Sequence, residues 1–130
     1  MTLVRIDLVA GRRSPTQVRA LADVAHKVLV DTFDIPVSHR YQIVTEHSPE
    51  HLLVGDSNLC FDRTEDIVVI HVVAPEVSVH QKQAMFRRMA QKLYDSAGLS
   101  QDDLVISVVE NTGADWSFGH GVVQFSEKHL

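Results

Sequence analysis

The sequence predicts an α+β domain in which one β-α-β unit is used twice, giving a four-stranded mixed sheet with both helices on one face and a hairpin at the C-terminus. Three observations carry this expectation. The chain matches itself at an offset of 64 residues without gaps, each half holds the same helix-start signal at the same place, and each half opens on a β-branched apolar run.

In the self-match, Val4 falls on Val68, Val9 and Ala10 on Val73 and Ala74, Ser14 on Ser78, Gln17 on Gln81, Ala20 on Ala84, Asp31 on Asp95, Val44 on Val108 and Glu46 on Glu110. The first strand of each half is the run Leu3 to Val9 or Ile67 to Val73, whose length and composition suit a strand. Ser14-Pro15-Thr16-Gln17 then has the form of a capping box with proline at the first helical position, and Ser78-Val79-His80-Gln81 repeats the box. In the first helix Val18, Leu21, Ala25, Val28 and Leu29 recur at three- and four-residue steps, as do Met85, Phe86, Met89, Ala90 and Leu93 in the second, so each helix has one buried stripe. Asp34-Ile35-Pro36 and Ala97-Gly98 stop the helices, and Arg40 to Glu46 and Leu104 to Glu110 read as the closing strands. The halves therefore run from about residue 2 to 46 and from 66 to 110, within a single domain spanning 1–130.

Two segments fall outside the repeat. The connection His47 to Asp66 is 20 residues long, and loops of that length are usually functional or mobile. The tail after Glu110 carries the only tryptophan, Trp116, and Gly119 and Gly121 among aromatic and β-branched residues, which predicts a hairpin or turn.

Bulk properties narrow the function. At 130 residues, 45% hydrophobic and 22% charged, the chain is one ordinary domain with a real core. A net charge of -5 gives no cationic surface for phosphate backbones or anionic lipid, so neither nucleic acid nor membrane is expected as a partner. Cys60 is the only cysteine and cannot form an internal disulfide; a reducing, cytoplasmic setting is expected. Arg5 and Asp7 interrupt any signal-peptide core, and no apolar run approaches the roughly 20 residues that span a bilayer. With helices covering one face, alternation in Tyr41, Ile43, Val69 and Val105 leaves apolar groups on the other, which predicts packing against further copies of the chain. The alternative is a monomer whose 47–66 loop closes that face.

Specific residues separate this from other duplicated β-α-β folds. Val109-Glu110-Asn111 followed by Ala114-Asp115-Trp116-Ser117-Phe118-Gly119, together with Asp34-Ile35-Pro36, Arg40-Tyr41-Gln42 and Asp62-Arg63, resembles the malonate semialdehyde decarboxylase group of the tautomerase superfamily over nearly the whole chain. The resemblance implies a homotrimer, no cofactor, and chemistry on small keto and enol acids by an amino-terminal proline exposed after removal of the initiator methionine. It also implies an aromatic pocket lined by Trp116, Phe118 and Phe125. The chain departs from the group's pattern at three places: residue 2 is Thr2, the aspartate expected before Arg40 is His39, and the two arginines expected after the third strand are replaced within Ala74-Pro75-Glu76-Val77.

Candidate chemistry follows from what remains. If Met1 is removed, Thr2 presents a primary α-amine with an ordinary pKa of roughly 7.7 to 8.0, lower in an apolar pocket, able to act as a base, condense with a carbonyl or activate its own hydroxyl. A retained methionine displaces that amine by about 3.8 Å. The plainer reading makes Thr2 the first residue of an edge strand. His39 is a candidate proton carrier, or else an exposed histidine before a strand. Trp116, Phe118 and Phe125 line a pocket or are core. His26, which matches a histidine in related dehalogenases and decarboxylases, reads as a packed helix residue with one nitrogen satisfied. His71, at the repeat position of Asp7, is placed at a subunit interface. His47 and His51 have i,i+4 spacing, but Pro49 and the lack of a third ligand argue against metal.

The function expected is proton transfer or tautomerisation on a small carbonyl or enol compound. The alternative is a non-catalytic binding or scaffold protein that keeps the pocket. A third option retains the decarboxylase reaction with its anion site relocated to Arg12, Arg13 or Arg63.

Overall fold

The computed structural model describes residues 1–125. Its elements are β1 (Leu3–Val9), α1 (Pro15–Phe33), β2 (Gln42–His47), β3 (Val68–Ala74), α2 (Val79–Ala97) and β4 (Leu104–Glu110), with short 3-10 turns at Pro49–His51, Gln101–Asp103 and Gly113–Asp115. The sheet order is β2-β1-β3-β4, with β1 parallel to β2, β3 parallel to β4, and the two halves joined by antiparallel pairing of β1 with β3. This is the duplicated β-α-β sheet that the repeat predicts.

Both capping boxes form. Ser14 accepts from the Gln17 backbone N–H while the Gln17 side chain accepts from the Ser14 N–H, and Ser78 and Gln81 do the same. Each satisfies two backbone donors that the first helical turn leaves without partners. Asp34 and Gly98 close the helices in left-handed conformation, at φ 55° and 65°.

One face of the sheet is core. Val4, Ile6 and Leu8 of β1 and Val68, Ile70 and Val72 of β3 bury against Leu21, Ala25, Val28 and Leu29 of α1 and Met85, Met89 and Leu93 of α2 in one cluster. Phe86, expected in the buried stripe of α2, lies at its margin and is partly exposed. In the β1/β3 register Ile6 pairs with Ile70, its own mate at the 64-residue offset, so a local two-fold passes through that pair.

The repeat is not constant to its end. Val4 pairs with Gln42 and Val68 with Leu104, so Gln42 is the structural mate of Leu104, at an offset of 62. Eight residues separate Phe33 from Gln42 and six separate Ala97 from Leu104. The sequence matches of Val44 with Val108 and Glu46 with Glu110 are therefore out of register; the structural mates are Ile106 and Val108. Because the slip is two residues, every side chain stays on its face.

The opposite face carries no helix. Residues alternate there as Ile43, Thr45 and His47 on β2, Leu3, Arg5 and Asp7 on β1, Val69, His71 and Val73 on β3, and Val105, Ser107 and Val109 on β4. Ile43 and Val109 are 42% and 48% exposed. The 47–66 connection does not close this face by a layer of regular structure. It is tied instead to the start of β4, where Asp62 N–H and Arg63 bond Asp102 and Thr64 bonds Asp103.

Of the hairpin or turn expected in the tail, the described residues form a turn. Among the described residues no strand follows Glu110; His120 and Gly121 take φ of 60° and 69°, and the Gln124 side chain bonds Phe118 N–H and Gly119 C=O. An amide side chain there does what ladder bonds do in a hairpin. No helix among the described residues is long and apolar enough to cross a membrane.

Candidate active site

The strand directions sort the functional residues onto two ends of the sheet. The start of β1, the start of β2 and the ends of β3 and β4 lie together, since Leu3 pairs with Val73, Val4 with Gln42 and Ala74 with Glu110. The end of β1 and the starts of β3 and β4 lie at the other end, about 20 Å away at 3.3 Å per residue.

At the first end Thr2 is 2% exposed and precedes a central strand, so the edge-strand reading of Thr2 is corrected: β1 has neighbours on both sides. Burial holds the α-amine of Met1 below its ordinary value by penalising the charged form.

The tail builds a wall here. It leaves β4 on one edge of the sheet and brings its aromatics to the start of β2 on the other, which carries it over the end where Thr2 sits. Trp116 donates its indole N–H to Asn111 Oδ1 at 2.8 Å, the Thr112–Asp115 capping box sets the turn before it, and its ring stacks on Phe118 with centroids 5.2 Å apart and planes within 6°. Phe118 continues to Tyr41 at 5.5 Å and edge-on to Phe125 at 5.8 Å. Phe125 meets His39 at 6.4 Å. The three aromatics singled out in the sequence are thus one cluster with His39, and Tyr41 belongs to it.

His39 is not simply a solvated histidine. Its Nδ1 is buried and has no hydrogen-bond partner within the described residues. Two cations near this end, Arg40 and Lys82, are already paired: Arg40 with Asp23 at 2.6 Å and Gln42 at 2.7 Å, Lys82 with Glu110 at 2.7 Å. Lys82 holds the Glu110 carboxyl below the usual carboxylate range, as Arg40 and Arg19 do for Asp23.

Arg63 is not with the others. Its Nη1 donates to Asp102 C=O at 2.7 Å, its Nε to Gly55 C=O at 3.1 Å, and it lies 4.9 Å over Phe61, so within one chain it fixes the connection at the opposite end. Arg12 and Arg13 are at that end too, bonded to Asp66. His26 packs as expected and donates Nε2–H to Val37 C=O at 2.8 Å. His71 stands on the open face opposite Arg5. His47 pairs with Asp7 at 2.6 Å and His51 with Ser48 at 3.1 Å, so the i,i+4 pair is split between two partners.

Tyr41 and Asn111 were not singled out as site residues. Both lie inside the stretches that carry the resemblance, and an aromatic directly before a strand was the available signal.

Two family models described as "Tautomerase enzyme" match residues 39–119 and 3–60. The chain is 43% identical over 125 residues to the probable tautomerase YrdN of Bacillus subtilis (strain 168), covering 96% of each. The chain belongs to the tautomerase superfamily. Among solved structures it is similar to two malonate semialdehyde decarboxylases. The FG41 enzyme inhibited by 3-bromopropiolate matches this chain with a TM-score of 0.90 at 37% identity, over 98% of this chain and 97% of that one. A second, solved in wild-type, mutant and inactivated forms, matches with a TM-score of 0.89 at 35% identity over 94% of each chain. The fold alone is shared with a fused 4-OT symmetric trimer, TM-score 0.74 at 16% identity, over 98% of this chain and 97% of that one.

Proposed function

We propose that this tautomerase, assembled as a homotrimer, moves a proton on a small carbonyl or enol compound bound against Trp116, Phe118 and Phe125, with His39 and the amino-terminal amine as the proton-carrying groups. The observation that carries the reading is His39: a ring nitrogen buried beside an aromatic wall, without a partner, is a costly arrangement unless a ligand completes it. The amine supports it, because desolvation favours its neutral, basic form. Removal of Met1 frees a different amine, that of Thr2, a residue that is itself buried. Exposed apolar residues on the helix-free face supply the surface for the other two subunits.

The substrate is a neutral or singly charged compound rather than a dicarboxylate. Arg40 and Lys82 are paired, and the turn after β3 offers Glu76, which is exposed and of the wrong sign for a carboxylate. For the same reason decarboxylation of malonate semialdehyde is disfavoured here, although solved relatives bear that name.

The test is turnover of phenylpyruvate-type enols by untagged protein whose intact mass fixes the state of Met1. Turnover lost on carbamylation of the amino terminus supports the proposal. Saturable pocket binding with no turnover favours the binding or scaffold reading instead.

A further inference from the structure

The tail that carries Trp116, Phe118 and Phe125 has little backbone structure of its own. Among the described residues it holds one 3-10 turn, Gly113–Asp115, and no strand. Its internal bonds are local. Thr112 N–H donates to Asp115 Oδ2 at 2.8 Å, Trp116 N–H to Gly113 C=O at 3.3 Å, and Gln124 holds Phe118 and Gly119. None of these fixes the rings relative to the sheet.

One hydrogen bond does. Trp116 Nε1–H donates to Asn111 Oδ1 at 2.8 Å in a partly buried setting. Among the described residues no other hydrogen bond joins residues 112–125 to the rest of the chain. The acceptor is itself held: Asn111 directly follows β4, and its N–H donates to Ala74 C=O at 2.9 Å, which extends the β3/β4 ladder by one bond onto a central strand. An indole has two side-chain torsions. The bond at Nε1 and the stack on Phe118, with centroids 5.2 Å apart and planes within 6°, constrain both. Phe118 in turn meets Tyr41 and Phe125, so the whole ring cluster is referred to the sheet through Asn111.

We infer that Asn111 is a positioning residue: through Trp116 it sets the aromatic wall against the end of β3, and thereby the grip of the pocket on a ligand with a flat apolar group. It touches no reacting atom. Its consequence for turnover rests on the proton-transfer reading above; its hold on the Trp116 ring does not.

The experiment compares Asn111→Leu, close in volume but without an acceptor, with Asn111→Asp, which keeps an acceptor at the same reach, in the untagged full chain. In Asn111→Leu the indole ¹H–¹⁵N resonance should move, and its assignment is unambiguous because Trp116 is the sole tryptophan. The phenylpyruvate KM should rise about fivefold, the worth of one hydrogen bond between uncharged groups. With kcat within about twofold of wild type, the loss is one of uniform binding. Asn111→Asp should recover the resonance and most of the loss in KM. In a Trp116→Phe background, which has no indole N–H to give, Asn111→Leu should add less than about twofold, since the two side chains act as one unit. A purely structural role would lower the folded fraction and leave KM alone. If Asn111→Leu does not fold, Asn111→Ala removes the same acceptor and takes its place. An unmoved indole resonance, or a full effect of Asn111→Leu in the Trp116→Phe background, overturns the inference. Absence of turnover by the wild-type chain sinks the proton-transfer reading alone; the comparison is then made on the phenylpyruvate Kd by calorimetry, and a wild-type chain that does not bind it overturns this inference as well.

Discussion

His39 shows how much one side chain's setting matters. In the sequence it is a histidine before a strand where the resembling group has aspartate; in the structure its Nδ1 is enclosed beside Phe125. A His39→Gln variant keeps a polar group of similar reach but cannot carry a proton at neutral pH. Its kcat on an enol substrate should fall about 10²-fold or more, the usual contribution of a positioned acid or base, with near-native far-UV circular dichroism. The amine sets the pH dependence. A base works only when unprotonated, so kcat/KM should rise with pH through the amine's pKa, with its midpoint below the ordinary 8.0 in protein that retains Met1, because burial lowers the pKa of that amine. A midpoint at or above 8 assigns the base elsewhere. The aromatics Trp116, Phe118 and Phe125 were legible from the sequence because they sit in a specific stretch. The approach of Phe125 to His39 was not, since 85 residues lie between them in the chain and only the path of the tail joins them. Arg63 was legible as a charge but not as a brace: nothing local in its sequence announces the carbonyls of Gly55 and Asp102.

At the level of elements the sequence was most informative, for a physical reason. Helix starts are local events, and Ser14 with Gln17 and Ser78 with Gln81 declare them within four residues. Replacing either serine with alanine should cost about 1 kcal/mol in chemical denaturation. The two effects should be nearly equal and additive, because the caps lie at opposite ends of the sheet and share no partner. The Gln42/Leu104 register was less legible. Ungapped self-matching holds through strand and helix, then slips by two, because loop length between Ala97 and Leu104 leaves no periodic trace. Whether the tail makes a hairpin or a turn was not legible for a related reason: glycines predict a reversal, and only three-dimensional contact tells whether backbone or Gln124 satisfies it.

For the whole molecule, the face without helices is the main consequence of using the β-α-β unit twice with the same handedness. Val109→Asp or Ile43→Asp places a carboxylate on that face away from the helix-packed core. Either should convert the proposed trimer to smaller species in sedimentation velocity while leaving helix content intact. Unchanged sedimentation would show that the face is not a subunit interface. The aromatic wall also gives the molecule an optical reporter. Trp116 is the sole indole, and it stands on the tail, stacked on Phe118 and outside the helix-packed core cluster. Its fluorescence therefore reads the closure of one end of the sheet and is blind to the core, whereas far-UV dichroism reads the helices and is blind to the tail. Followed together through a urea titration, the two signals separate loosening of the binding end from global unfolding, and a tryptophan transition that comes first would mean the pocket can open while the fold stands.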